Sequence, residues 1–159
     1  MNRKTLSLLC GALCFSSCGY PGPATFSGPA TFDDIAEVII NYQLISQRPL
    51  SERGRLIYFL SVNNREDPSS VLLERLNKKG FPFRPISQSL WKDGKLRDKA
   101  SGGIGLWLSA SDVECPSSNY CRAKGQIQTD RDGLHGWEYQ LLRKNGKWKV
   151  KNIELYLVS

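Results

Sequence analysis

The sequence predicts an α+β domain in which two helices pack on a mostly antiparallel, strongly curved sheet that ends in a hairpin meander. Two observations lead to this prediction. Apolar residues recur at helical spacing in two segments before residue 80. Three Asp-Gly or Asn-Gly pairs in the second part of the chain mark tight turns between strands. Helices followed by consecutive hairpins are typical of the α+β class.

The N-terminal segment 1–17 has the features of a secretion signal. A short basic start precedes an apolar stretch from Leu6 to Phe15, which is too short to span a membrane. The segment Phe15-Ser16-Ser17-Cys18 resembles the lipobox of bacterial lipoprotein precursors, in which a bulky apolar residue and two small residues precede a cysteine. This resemblance implies that Cys18 receives a diacylglycerol and becomes an acylated N-terminus. The alternative is cleavage by an ordinary signal peptidase after Gly19, which would release a soluble periplasmic protein.

Residues 18–30 are predicted to form the lipidated cysteine and an extended tether. The stretch after Cys18 carries no charge, and Gly22-Pro-Ala-Thr-Phe26 is repeated as Gly28-Pro-Ala-Thr-Phe32. Such a composition cannot bury enough surface to fold, and its prolines keep the chain extended. Residues 31–159 would then form a single globular domain.

The first predicted helix starts at Thr31, an N-cap candidate with Asp34 three residues later, and stops before Pro49. Its apolar stripe contains Phe32, Ile35, Ile39, Tyr42 and Ile45, widened by Ala36 and Val38. The unbroken apolar run from Arg55 to Val62 predicts a central strand that is covered on both faces.

The second predicted helix has Asp67 as its N-cap, Pro68 at its first position and Gly80 just past its end. Its core face contains Val71, Leu72 and Leu76. The two prolines of segment 81–85 predict extended chain. Further strands are predicted at about 104–113 and 121–131.

Hairpin turns are predicted at Asp93-Gly94, Asp132-Gly133 and Asn145-Gly146, because a type I′ turn needs two residues that tolerate positive φ. A two-residue turn at Asn145-Gly146 pairs Lys144 with Lys147, Arg143 with Trp148 and Leu141 with Val150. It places Trp137, Tyr139 and Leu141 on one face with Trp148 and Val150. A change of phase after Asn152 predicts a bulge.

This order of elements, closing on Asn145-Gly146-Lys147-Trp148-Lys149-Val150, resembles the NTF2-like (cystatin-like) group of cone-shaped α+β domains. It is also similar to uncharacterised bacterial lipoprotein domains of this size. The resemblance implies the fold. Enzymes of the group use an Asp/His or Tyr/Asp set inside the cone, and no such set can be matched here, so we predict no catalytic residues.

Cys115 and Cys121 are separated by five residues, enough for a loop that brings their sulfurs together. In an oxidising envelope we expect a structural disulfide. A redox-active pair is the alternative, but it would favour Cys-x-x-Cys at a helix N-terminus. A zinc site needs about four ligands, and the chain has one histidine. We therefore predict neither a metal nor a cofactor.

His135 is either a general base, with Asp130, Asp132 or Glu138 as its orienting acid, or an exposed residue on a strand, which the sequence favours. The basic hairpin, defined as Arg143, Lys144, Lys147, Lys149 and Lys151, could contact an anionic surface or form an ordinary solvated face. Nucleic acid is not an expected partner of an exported protein.

These features favour a non-catalytic, lipid-anchored envelope protein that faces the periplasm and binds an envelope partner or stabilises an assembly. The alternative is a small-ligand binder or isomerase-like enzyme that uses the interior of the cone, through residues such as Tyr42, Asp112 or His135. Inhibition of a lytic enzyme ranks last, because a domain with a net positive charge is a poor electrostatic match for basic lysozymes. Gly19 is not the aspartate that retains enterobacterial lipoproteins in the inner membrane, so we expect the outer membrane where those sorting rules apply. The oligomeric state stays open.

Overall fold

A computed structural model describes residues 30–46, 56–63, 65–128 and 130–158. The predicted signal, Cys18 and nearly all of the tether lie outside the described residues. The elements, in chain order, are α1 (Phe32–Ser46), β1 (Ile57–Val62), α2 (Ser70–Asn77), β2 (Phe83–Pro85), a 3₁₀ turn (Ile86–Gln88), β3 (Ser89–Lys92), β4 (Lys95–Asp98), β5 (Gly105–Ser117), β6 (Tyr120–Gln128), β7 (Leu134–Lys144) and β8 (Lys147–Val158).

The main sheet has six strands in the order β2-β1-β5-β6-β7-β8, and β3 and β4 form a separate two-stranded sheet. β1 runs parallel to both of its neighbours, while β5 to β8 form an antiparallel meander. The α+β class and the mostly antiparallel sheet are therefore confirmed, and β1 is an interior strand next to the edge strand β2. The sheet is neither closed nor strongly curled. The predicted strong curvature is not observed, and the NTF2-like cone stays a prediction.

α1 begins with the predicted cap. Thr31 Oγ1 accepts a hydrogen bond from Asp34 N (3.3 Å), and Asp34 Oδ2 accepts one from Thr31 N (3.2 Å), which together form a capping box. The helix buries one face completely: Ile35, Ala36, Ile39, Ile40, Gln43 and Leu44. The prediction that Ile45 belongs to this face is wrong, because its side chain is 59% exposed. The buried stripe runs through Ile40 and Leu44 instead.

α2 starts two residues later than the sequence predicts. Ser69 is its N-cap, and Ser69 Oγ accepts a hydrogen bond from Leu72 N (3.0 Å). Asp67 instead accepts a hydrogen bond from Ser87 N (2.9 Å) on the 3₁₀ turn. Leu72 and Leu76 are buried as predicted, but Val71 is 57% exposed. A two-turn helix buries only the stripe defined by residues four apart, and Val71 lies off that stripe.

Two of the three predicted turns are confirmed. The residues of Asp93-Gly94 and Asn145-Gly146 all have φ between 52° and 74°, as type I′ turns require. The register around the second turn is the predicted one, with Lys144 opposite Lys147, and the ladder shifts between Gln140 and Leu141 because Lys151 is an extra residue in β8. Asp132-Gly133 is not such a turn. Between β6 and β7, Gly133 N donates instead to Asp130 O (3.2 Å).

The sheet is covered on both faces at β1 and β5. Both helices pack on its inner face, over a large core that includes Tyr58, Leu60 and Leu108. On the outer face, the β3–β4 hairpin covers a smaller core of Phe59, Leu96 and Trp107. The outer face of β6 to β8 has no such cover from the described residues. On its outer face the sheet is therefore covered at β1 and β5, and the described residues leave it uncovered at β6 to β8.

Candidate functional site

The basic hairpin lies at the end of β7 and the start of β8. Lys144, Lys147, Lys149 and Lys151 are exposed. Within the described part of the chain these four ammonium groups form no ion pair. Some other cations of the domain do: Lys79 pairs with Glu37 (2.6 Å) and Lys124 with Asp112 (2.9 Å). The four lysines therefore form a positive surface that the described acidic residues do not neutralise.

Arg143, the fifth predicted member of the basic hairpin, is separated from the lysines. It lies opposite Trp148 in the ladder and is half-buried. Cross-strand partners share a face of the sheet, so Arg143 lies on the inner face with the helices, whereas Lys144 and Lys147 lie on the outer face. The predicted set thus divides into one inner arginine and four exposed lysines.

Arg143 lines a cleft of about 530 Å³ between the hairpin tip and the start of α1, which we call the hairpin cleft. Its walls are formed at one side by Gly146, Lys147 and Trp148, and at the other by Ala30, Thr31, Asp34, Glu37, Val38, Arg75 and Lys79. Ala30 is the first described residue of the chain. The start of the described chain therefore lies beside the tip of the basic hairpin.

Ion pairs hold the helix side of the hairpin cleft together. The Arg75 guanidinium donates to Asp34 Oδ1 (3.0 Å) and to Glu37 Oε2, linking α2 to α1. Burial raises the pKa of Asp34, but hydrogen bonds from Thr31 and Arg75 outweigh it, and the pKa lies below its ordinary value. Desolvation lowers the pKa of Arg75, and the two carboxylates more than reverse that effect. The acidic and basic side chains on the helix side of the cleft therefore neutralise each other, whereas the four lysines of the basic hairpin have no such acidic partners among the described residues.

The predicted disulfide is present. The sulfurs of Cys115 and Cys121 lie 1.99 Å apart, and the bond joins β5 to β6 close to their connecting turn. Cys121 is buried in the main core, while Cys115 is exposed. The bond thus fixes the end of the β5–β6 hairpin to the core.

The polar residues considered for catalysis are not brought together. His135 is exposed on β7, as predicted, and its ring stacks on Trp137 with 5.8 Å between the ring centroids. Asp112 pairs with Lys124 on an exposed part of β5 and β6. Tyr42 on α1 packs edge-on against Tyr139 on β7. These three side chains therefore occupy three different environments.

A second cleft, which the sequence did not indicate, lies between the β3–β4 hairpin and the end of β1. We call it the tryptophan cleft. It has a volume of about 410 Å³. Its apolar surface comes from Trp91, Trp107, Ile86, Leu90 and Leu96, and its polar surface from Arg65, Asp67, Ser87 and Ser89. Volume and lining are typical of sites for small molecules, which combine apolar walls with a few oriented polar groups.

The tryptophan cleft is organised around Trp107. This indole is only 4% exposed, and its Nε1 donates to Ser61 Oγ on β1 (2.7 Å), which fixes the plane of the ring. The Arg65 guanidinium carbon lies 4.8 Å from the centroid of the same ring, in cation–π contact. Among the described residues, that is the only charged or aromatic contact of Arg65.

Arg65 is held in an unfavourable backbone conformation. Val62 and Glu66 exchange two backbone hydrogen bonds of 2.9 Å, so these two residues bracket a tight turn after β1. Within it, Arg65 has φ of +68° and Asn63 has φ of +47°. A non-glycine residue in this region costs on the order of 1 kcal/mol or more, and such residues cluster at functional sites. Sequence reasoning had one available signal, the unusual Trp107 within the apolar run of β5, but could not assign its neighbours.

Comparison of the chain with protein-family models, with curated proteins and with solved structures found no match. Among the described residues, no helix combines the length and the apolar character needed to cross a membrane. The same residues contain no group of three or more His, Cys, Asp or Glu side chains placed to hold a metal ion.

Proposed function

We propose that this chain is a lipid-anchored protein of the bacterial envelope, and that its globular domain is a non-catalytic binding module whose basic hairpin rests on the anionic bilayer surface. The anchor is a diacylglycerol on Cys18, and residues 19–30 are the tether. The domain faces the periplasm, from the outer membrane where the retention rules of enterobacteria apply.

One observation carries the orientation of the domain. The chain enters the domain at Ala30 and Thr31, which line the hairpin cleft together with Lys147. A tether of about a dozen residues, at roughly 3 Å per residue, spans a few tens of Å when extended. A contact with the bilayer through the side where the tether enters is therefore within reach of the anchor, and that side carries the tip of the basic hairpin.

Charge supports the same orientation. Lys144 and Lys147 lie opposite each other at the tip, and the described acidic residues neutralise neither. Each lysine near an anionic bilayer surface contributes about 1 kcal/mol of attraction, which falls off within a Debye length. Four such groups cannot anchor a protein alone, but they can orient a domain that a lipid already holds.

Two further features fit an envelope protein. The Cys115–Cys121 disulfide suits an oxidising compartment. The order of helices and the hairpin that ends in Trp148 and Val150 support kinship with NTF2-like (cystatin-like) domains, here in an open form. The interior that such enzymes use is filled by α1, since Ile39, Gln43 and Leu44 are fully buried against the sheet.

The anchor is tested by intact mass. Protein isolated from native membranes should begin at Cys18 and carry a diacylglycerol or three acyl chains, and a Cys18→Ser variant should lose both the modification and the membrane association. An unmodified wild-type chain that starts after Gly19, recovered from the soluble periplasm, would contradict the anchor.

The orientation is tested separately with the exported Cys18→Ser chain and vesicles. We expect the chain to bind vesicles that contain about 30% phosphatidylglycerol, and we expect this binding to weaken as the salt concentration rises. Lys144→Gln with Lys147→Gln should weaken it roughly tenfold or more. The matched control is Lys92→Gln with Lys95→Gln, because these exposed lysines also lie opposite each other across a type I′ turn. Equal losses in both double variants would contradict an oriented contact.

A further inference from the structure

The tryptophan cleft carries an inference beyond anchoring, since it lies on the outer face of the sheet between β1 and the β3–β4 hairpin. The described residues leave its volume of about 410 Å³ empty, within the usual range for sites that take small ligands. We infer that the tryptophan cleft binds a neutral saccharide of one or two rings. This gives the proposed binding module a ligand class, and it does not depend on the lipid anchor.

The walls of the cleft suit one face of a sugar ring. A pyranose ring has a face of C–H groups, and this face packs on the flat surface of an aromatic side chain. Trp91 is half-buried at the cleft, so part of its indole is available for such a contact. Trp107 lies beneath the cleft, almost fully buried under Arg65, in a plane fixed by its hydrogen bond to Ser61. Leu90, 37% exposed, extends the apolar surface.

The polar groups of the cleft suit hydroxyl groups. The Arg65 guanidinium offers N–H donors that the described residues leave unused, since its contact is with the face of Trp107. Asp67 accepts a hydrogen bond from Ser87 N through Oδ1, and its Oδ2 is not engaged by a described residue. A hydroxyl both donates and accepts, so it can bridge a guanidinium and a carboxylate.

The charge of the lining selects a neutral ligand. Arg65 and Asp67 are its two charged residues, one of each sign. An anion would gain from Arg65 but would be repelled by Asp67, and a cation would meet the reverse. A ligand without net charge, with an apolar face and a rim of hydroxyls, uses both residues at once.

The test is titration of the exported Cys18→Ser chain with sugars, followed by NMR of the tryptophan indole N–H groups. The chain has four tryptophans, so four such resonances are expected. The neutral probes are maltose, cellobiose and N,N′-diacetylchitobiose, and glucose is compared with glucuronate and glucosamine. We expect at least one neutral disaccharide to shift the resonances of Trp91 and Trp107, and glucose to bind better than either charged analogue.

Three variants assign the binding to this cleft. Trp91→Ala should weaken it by about tenfold or more, because the stacking surface is lost. Arg65→Gly should also weaken it while keeping the fold, since glycine adopts φ of +68° without strain. Asn145→Gly is the matched control, because it also places glycine at a left-handed position, with φ of +52°, but in the turn between β7 and β8. This variant should leave sugar binding unchanged.

Several results would overturn the inference. Absence of binding across the neutral probes would exclude the saccharide. Stronger binding of glucuronate than of glucose would show that Arg65 dominates and that the ligand is an anion. Shifts confined to Trp137 and Trp148, or full binding by folded Trp91→Ala, would place the sugar elsewhere. None of these results bears on the mass of the Cys18 anchor, so the two proposals fail independently.

Discussion

α1 approaches the sheet closely at Gly125 on β6, and this close approach predicts the effect of a single added methyl group. A Cβ at this position would lie 2.5 Å from Gln43 Nε2, 2.9 Å from Ile39 Cγ2 and 2.9 Å from Ser109 O. Real Cβ atoms do not approach other heavy atoms this closely. Gly125 does not have a positive φ, so alanine fits its backbone and the effect of Gly125→Ala is purely steric.

The magnitude follows from what has to move. The Gln43 side chain can turn away, but it then gives up its contacts as donor to Ser109 O (3.3 Å) and Gln126 O (3.4 Å). Both are long for hydrogen bonds, so together they contribute about 1 kcal/mol. The carbonyl of Ser109 belongs to the sheet and cannot move alone, so α1 must shift, and overpacking of this kind costs about 1–3 kcal/mol. We expect Gly125→Ala to lower the free energy of unfolding by about 3 kcal/mol.

Urea unfolding followed by circular dichroism measures this loss, as a lower midpoint at unchanged slope. The control is Gly103→Ala, whose Cβ would meet only the side-chain atoms Ile57 Cδ1 (3.0 Å) and Ser101 Oγ (3.3 Å), and which should cost less than about 1 kcal/mol. Adding Gln43→Ala to Gly125→Ala removes the nearest clash, so the two losses should sum to more than the double variant shows. A loss below about 0.5 kcal/mol for Gly125→Ala would refute the seating of α1 on β6.

Two further predictions concern the buried Asp98 carboxylate and the disulfide. Asp98 accepts hydrogen bonds from the Ser101 hydroxyl (2.7 Å), from Ser101 N (2.9 Å) and from Arg84 (2.6 Å). The Ser101 hydroxyl chiefly, and Arg84 in addition, hold the pKa of Asp98 below its ordinary value. Its stabilisation is therefore complete above the ordinary aspartate pKa, near about 4, and is lost as the pH falls through the lower folded-state value. Asp98→Asn should destabilise the domain at pH 7 and progressively less at pH 4 and 2, as measured by urea unfolding; a deficit that does not change with pH would contradict this. Reduction of Cys115–Cys121 should lower the free energy of unfolding by about 2 kcal/mol, because the closed loop is short, and complete unfolding on reduction would show that the bond does more than fix one hairpin.

Local features of the fold could be predicted from the sequence, because they depend on neighbouring residues. The capping box of Thr31 and Asp34 satisfies orphan N–H groups within four residues, and the register of Lys144 with Lys147 follows from one turn and a period of two. The disulfide likewise needed only a short loop. Each of these predictions involves atoms within a few residues of each other in the chain.

The predictions for Ile45 and Asp67 were wrong because tertiary contacts decide the positions of these two residues. Ile45 is exposed because the sheet meets α1 along Ile40 and Leu44, a choice that the helix pattern alone leaves open. Asp67 satisfies the requirements of an N-cap, but Ser87, 20 residues later, donates to it instead, and Ser69 takes the cap. Helical periodicity and capping preferences limit such choices without deciding them.

The tryptophan cleft was the feature hardest to predict from the sequence, because its lining residues come from several separate segments. Arg65 and Asp67 follow β1, Ser87 and Trp91 come from the 3₁₀ turn and β3, and Trp107 lies on β5. These segments meet only because β1 pairs in parallel with β5, and parallel pairing joins strands that are distant in sequence. The positive φ of Arg65 could not be predicted either, because arginine has no preference for that backbone conformation.

The division of the sheet into two faces decides where ligand chemistry can occur in this domain. α1 fills the inner face so closely that Gly125 has no room for a methyl group. An enzyme that used the inner face would need α1 to move away, at the expense of Ile39, Leu44 and the rest of a fully buried helix face, which is worth several kcal/mol in lost burial. The tryptophan cleft needs no such movement, since it already lies open on the outer face. Ala30 lies beside the hairpin tip, and the tryptophan cleft lies where β3 packs over β1, which is four strands away from β8 in the order of the sheet. A domain held at the bilayer by β8 would therefore leave the tryptophan cleft accessible to ligands, so anchoring and binding are compatible on one sheet.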